Sequence, residues 1–197
     1  MKQKILDYSL EMFSFAVLVY AICFALFFRE DSHLGIITAF MLCAVMHEFE
    51  EKRVPGGFFE LMAKKFGIRA ENDDFRKHTL IVVIYWIVML SLPLIFRSAV
   101  FLPISLSCVG IFEAFIHTAG IKIHKLRKPY TPGLVSAWIM AGVSVYTLRY
   151  VSDIAGTADY VIGAVFMVVT FLMMDVCVLR SFNVSISDVR KNMKGNA

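Results

Sequence analysis

The sequence predicts an all-α fold, a polytopic membrane bundle of six transmembrane helices. Three observations carry this. Hydrophobic residues make up 58% of the 197 residues, above the roughly 45–50% of soluble domains. Mean hydropathy is +0.69. Only 18% of residues are charged, and these fall in clusters between long uncharged runs. A soluble globule could not cover its surface with so little polarity, and a disordered chain would carry far less apolar content. Collagen-like, disulfide-scaffold and coiled-coil classes fail on composition too.

The uncharged runs are 12–28, 34–46, 79–96, 100–112, 134–148 and 160–174. The first follows Lys2 and Lys4 as a signal peptide would. It is longer than an ordinary h-region, however, and closes on Phe27-Phe28-Arg29 without a small-x-small cleavage site, so a retained first span is expected. Crossing about 30 Å of hydrocarbon takes about 20 helical residues. The second and fourth runs reach that length only by continuing through 47–51 and 113–117. Ionisable groups therefore stand at or near membrane depth on two helices, where they are functional candidates by default.

Charge fixes the expected orientation. With both termini cytoplasmic, seventeen of the twenty Lys and Arg lie inside, and only Arg29, Arg97 and Arg149 lie outside. Dropping the two short runs would export the basic 52–78 loop and break the positive-inside rule. The net charge of +4 thus reports topology, and no nucleic-acid partner is expected. A multi-pass protein of a plasma or inner membrane, contacting membrane lipids, is the corresponding localisation.

The 52–78 loop opens on a breaker, Val54-Pro55-Gly56-Gly57. Residues 58–68 follow, with Phe59, Met62, Ala63 and Phe66 on one helical face. This predicts a short helix, lying on the cytoplasmic interface or packed against the bundle. Pro132-Gly133 suits the centre of a type II turn leading into the fifth span. No linker or repeat divides the chain, so residues 1–197 form one membrane-embedded domain, and the last dozen polar residues are expected to fray. Cys23, Cys43, Cys108 and Cys177 all sit in apolar runs without zinc-knuckle or disulfide spacing, so reduced packed thiols are expected.

The chemistry concentrates in His47-Glu48-Phe49-Glu50-Glu51 and in Glu113 and His117. Positions 47, 50 and 51 share a helical face, and 113 and 117 are one turn apart. Measured from the outer ends of their spans, His47 and His117 lie about 20 and 26 Å inward at about 1.5 Å per residue. They therefore share a level, which Glu11 and Asp175 reach by the same reckoning. The spacing invites comparison with inverzincins. His47, Glu51 and His117 would ligate a divalent metal, zinc in the first instance. Glu113 would be a further ligand or would hold one in place, and Glu50 would take a proton from water. A metal-free His–Glu proton shuttle is the alternative. So is a plain reading in which such groups meet headgroups and basic loop residues. Glu48 points away from the shared face and is expected to be solvated or ion-paired. His33, His78 and His124 are expected in loops. Tyr130 is a membrane-belt aromatic, or a hydroxyl donor to the polar layer.

His47-Glu48-Phe49-Glu50-Glu51, a downstream histidine and Tyr130-Thr131-Pro132-Gly133 occur in that order. In this the chain resembles the HXXEE-domain family of small membrane proteins, with His117 the better match to the extra histidine than His124. The family has no established activity, so the resemblance implies candidate positions and no reaction. From the residues themselves, the expected function is metal-dependent hydrolysis of a lipid or lipid-linked substrate, with catalytic Glu50 and Tyr130. The alternatives are a non-enzymatic ion or small-molecule binder or transporter, and a membrane interaction or immunity protein.

Overall fold

Six of the seven helices among the described residues are long and apolar enough to cross a membrane, the expected number. They are seen in a computed structural model that describes residues 2–67, 72–185 and 187. The expected fraying of the C-terminal dozen residues, the end of the short loop helix at Ile68 and the side chain of Phe66 lie outside what is described.

Helix α1 (Lys2–Cys23) runs on through a π-helical turn, Phe24–Phe28. Helix α2 (Ser32–Lys52) starts at Asp31, whose carboxylate accepts from the Leu34 N–H at 3.0 Å and from Arg97 at 2.6 Å. The loop then forms α3 (Phe58–Phe66). The remaining spans are α4 (Asn72–Ile95), α5 (Phe101–Ile123), α6 (Leu134–Val151) and α7 (Thr157–Ser181). Both short apolar runs thus continue through their ionisable ends, α2 past Glu51 and α5 past His117.

The spans close into a ring, in the order α1, α2, α6, α5, α7, α4 and back to α1, with α2 also touching α4. The core lies inside that ring, where Phe40, Trp86, Leu90, Leu106, Val109 and Met140 are buried. On α7 the side chains of Val161, Val165, Val168 and Leu172 are exposed, as expected of a face turned to lipid. Six such helices are consistent with a multi-pass membrane protein.

In lipid, helices associate through close packing more than through the hydrophobic effect, so small residues set the tightest seams. Between α5 and α6 the seam is Ala114, Ala137 and Ala141, with Gly110 beside Met140. A β-carbon on Gly110 would lie 3.1 Å from the Met140 carbonyl oxygen. This close approach carries His117 of α5 against the first turn of α6.

Helix α3 packs on the bundle. Phe59 rests against Phe75 at 4.7 Å and against Phe182 at 5.1 Å between ring centroids, and Ala63 is buried. Of the three histidines expected in loops, two stand in helices, and His124 lies in the turn just past α5, as expected. His33 is in the first turn of α2, bonded to the Pro93 carbonyl at 2.9 Å, His78 is in α4, and His124 caps the C-terminus of α5. The Pro132-Gly133 turn forms as expected, with Leu134 N–H donating to Thr131 O at 3.0 Å and Gly133 at φ +94°. All four cysteines are free thiols, Cys43 buried and Cys23 and Cys177 exposed.

Candidate metal centre

One turn of α2 and one turn of α5 meet at the end of the bundle near α3. His47 Nε2 lies 3.6 Å from Glu51 Oε1 and 3.7 Å from Glu113 Oε2. His117 Nε2 lies 3.0 Å from the same Glu51 oxygen and 3.7 Å from the same Glu113 oxygen. The two imidazoles stand edge to face with centroids 4.9 Å apart. His47 and His117 are 2% and 0% exposed.

The outer nitrogens of both rings are held by hydroxyls, and those hydroxyls have already committed their hydrogens. Thr131 Oγ1 donates to the His117 carbonyl at 2.9 Å, so at 3.3 Å from His117 Nδ1 it can only accept. Ser136 Oγ has two acceptors for its one hydrogen, Glu50 Oε2 at 2.5 Å and the Gly133 carbonyl at 3.1 Å. It therefore accepts from His47 Nδ1 at 3.1 Å. Each neutral imidazole consequently carries its proton on Nδ1 and turns a bare Nε2 lone pair inward. His117 Nε2 is buried and makes no hydrogen bond. With both rings neutral, two lone pairs and two carboxylates face one another, a set that is costly until a positive charge joins it, either a proton on a ring or a bound cation.

This donor set could hold a metal ion. Imidazole nitrogens and carboxylate oxygens are common metal ligands, and a hydrogen bond from the far ring nitrogen, made here to a hydroxyl, is what orients a ligating histidine. Ligand atoms of His47, Glu113 and His117 all lie within 4.8 Å of one another, so this buried group could hold a metal ion. Glu113 joins the two histidines in that group, and Glu51, whose Oε1 lies nearer to both Nε2 atoms than Glu113 Oε2 does, also lines a cavity of about 660 Å³ between α1, α2, α3 and α4.

Two further residues shape the pocket. Phe58, the first residue of α3, lies over His117 with ring centroids 4.3 Å apart. Gly133 comes so close that an added β-carbon would stand 2.9 Å from both His117 Nε2 and Glu51 Cγ. The left-handed backbone of the turn and the space against the histidine both require glycine there.

Glu50 has a different place from the one expected. Its carboxylate accepts from the Val135 and Ser136 N–H groups at 3.2 and 2.8 Å, from Ser136 Oγ at 2.5 Å and from Tyr130 Oη at 2.7 Å. Val135 and Ser136 are the second and third residues of α6, whose N-cap Gly133 has no side chain to offer. Glu50 thus caps α6 from another helix, where free N–H groups and the helix dipole favour an anion. Four donors occupy its lone pairs, so the structure corrects the assignment of a free general base at this position. Tyr130 is a donor to Glu50 and not to the His–Glu cluster. Burial and the neighbouring Glu50 carboxylate push its hydroxyl up to about 12, so it stays protonated at neutral pH. We expect Tyr130→Phe to lower stability by about 1.5 kcal/mol, the usual value of a hydrogen bond to a charged group. Thermal melting in detergent measures this, with metal content unchanged.

Glu48 is ion-paired, as one half of the expectation held, but with Lys52 and in the interior. It is 2% exposed and accepts from Trp86 Nε1 at 2.8 Å. Glu11 binds Arg53 at 2.8 Å and lines the cavity that Glu51 also lines. Asp175 of α7 lies near enough to Glu113 for their charges to interact. Sequence reasoning missed Ser136, Phe58 and the supporting role of Thr131. Thr131 lies within the Tyr-Thr-Pro-Gly segment, and Ser136 stands three residues past Gly133, the position of a free helix N–H.

No curated protein and no solved structure matches the chain. A family model described as a protein of unknown function with an HXXEE motif matches residues 37–147, a segment that contains every residue of the His–Glu cluster together with Glu50, Tyr130 and Ser136. The chain belongs to this HXXEE family.

Proposed function

We propose that the chain is a membrane metalloenzyme that hydrolyses a lipid or lipid-linked substrate. The observation that carries this reading is the pair of inward Nε2 lone pairs, each fixed by a hydroxyl at Nδ1 and set against Glu113 and Glu51. His47, His117 and Glu113 are the proposed ligands. When bound, a divalent ion supplies Lewis acidity and makes water a nucleophile at neutral pH. Glu51 reaches both the cluster and the adjoining cavity, so it is the residue placed to take the proton from an entering water. Glu50 and Tyr130 act through position. They dock the start of α6 on α2 and so hold Ser136 against His47.

The rival reading, a transporter using the same group, has less support. The buried hydroxyls Thr38, Ser107, Ser144 and Thr147, farther along the spans, donate to carbonyls one turn back in their own helices. These four are already satisfied and offer a travelling ion little, whereas Ser105 Oγ of α5 is buried without a hydrogen bond.

The test is turnover of a panel of glycerolipid esters and phosphoesters by purified protein, before and after chelation. The reading expects hydrolysis that is lost with chelator and restored by zinc. A metal-loaded protein inert on every lipid class would favour the binder or transporter. We also propose that the end bearing the centre faces the cytoplasm of a plasma or inner membrane, because the basic residues gather there. Cysteine-accessibility labelling at Lys64 and Arg127 should then report protection from outside, and labelling of intact cells at those sites would reverse the orientation.

A further inference from the structure

The seam between α1 and α4 holds two adjoining hollows of opposite character. The first is the cavity of about 660 Å³ beside the centre, lined by Asp7, Glu11, Glu51, Arg53 and Arg76 among others. The second is a groove of about 440 Å³ walled by Phe13, Val17, Met41, Val83, Ile87 and other apolar side chains. Along both helices one continues into the other. On α1 the cavity uses Leu6 to Glu11 and the groove Ser9 to Tyr20, and on α4 the cavity ends at Thr79 where the groove begins at Leu80. From Ser9 to Tyr20 the groove runs about 16 Å at about 1.5 Å per residue. Met12, Ile84 and Ile87 on its walls are about half exposed, so the groove opens sideways, where lipid would lie.

Two polar atoms near this junction have no partner. Ser9 is 5% exposed, lines the groove at its polar end, and its Oγ is buried without a hydrogen bond. Glu11 Oε2, in the cavity wall, is likewise buried and unpartnered while its other oxygen holds Arg53. Buried polar atoms left unpaired are costly, and a ligand that pairs them recovers that cost. The cavity's basic groups are largely committed: Arg53 to Glu11, Arg76 to Asp7 and Lys52 to Glu48. The surplus in the cavity is of acceptors, which suits a head bearing hydroxyl or ammonium donors and disfavours a bare phosphate.

We infer that the α1/α4 seam is a glycerolipid site, with the acyl chain in the apolar groove, the ester region at Ser9, and a hydroxyl- or ammonium-bearing head in the cavity beside Glu51. This goes beyond the proposed function by naming a lipid that the seam would hold beside the centre, and it rests on that reading only for what the centre would do to it. The geometry also places the head, and not the chain terminus, next to the His–Glu cluster.

A monoacylglycerol carrying a diazirine at the end of its chain tests the site in nanodisc-embedded protein. Photolabelling should be saturable and concentrate on 12–20 and 80–91, at least fivefold above the exposed faces of α6 and α7. Ala16→Trp, at an exposed position on the groove wall, should cut that labelling tenfold or more, and Ile87→Trp should do the same from the facing helix. Ser9→Ala should weaken the apparent affinity about two- to tenfold, the span of one hydrogen bond. Metal content is measured on the same samples. Full metal with labelling spread evenly over α1, α4, α6 and α7, and indifferent to both Trp variants, would overturn the site and leave the metal centre standing. Phosphatidic acid competing as well as unlabelled monoacylglycerol would overturn the assignment of the head. Concentrated labelling in a protein free of metal would retain the lipid site and remove the proposed hydrolysis.

Discussion

Gly133→Ala removes the centre while leaving the six spans in place. At φ +94° an alanine pays about 1–2 kcal/mol for the left-handed backbone. The larger effect is steric, because the new methyl would stand 2.9 Å from His117 Nε2 and from Glu51 Cγ, inside van der Waals contact. His117 is wholly buried and cannot swing away, so the turn, the ring or both must move. Metal content should fall at least tenfold, with helical circular dichroism close to wild type. Gly120→Ala is the matched control. Its β-carbon would meet nothing nearer than the Thr131 methyl at 3.3 Å, so most of the metal should be retained.

The second large effect separates the adjacent glutamates. Glu50→Gln replaces one accepting oxygen by an amide that faces donors, since Val135 N–H, Ser136 N–H, Ser136 Oγ–H and Tyr130 Oη–H all point at it. At least one donor is left unpaired, so a loss of about 2–3 kcal/mol in stability is expected. Part of the metal affinity should go with it, because Ser136, which accepts from His47 Nδ1, is then held less firmly at the start of α6. Glu51→Gln should leave stability close to wild type, because the Glu51 carboxylate faces the cavity and His117 and caps no helix. It should lose turnover by about 10²–10⁴-fold, the usual contribution of a positioned acid–base group. A stable, metal-replete and fully active Glu51→Gln protein would remove Glu51 from the chemistry.

What the residues alone revealed, and what they did not, follows from the range of each interaction. Hydropathy and basic asymmetry are properties of segments, so six spans were legible, including two that become long enough only through their ionisable ends. Helical spacing is also local, and it placed His47 with Glu51 and Glu113 with His117. Depth along the span was enough to put the two turns at one level. Which face each helix turns to which neighbour is a packing property, and there the reading diverged. Glu50 and Glu51 differ by only 100° around the helix, yet one meets the start of α6 and the other meets His117. Helical spacing turns Glu48 away from the shared face, solvated or ion-paired, without saying which neighbour that face meets. The ring puts Trp86 of α4 against it. Ser136 and Thr131 gain meaning only once their hydrogens are accounted for, which needs the partners' positions.

The central claim is that His47 and His117 jointly hold one metal ion through Nε2. Its most direct test is elemental analysis with X-ray absorption on protein purified in mild detergent without chelator. The account predicts one first-row divalent ion per chain with two imidazole nitrogens in its coordination sphere, lost in both His47→Ala and His117→Ala. No stoichiometric metal in the wild type, even after incubation with zinc, would contradict it, as would metal retained in both histidine variants.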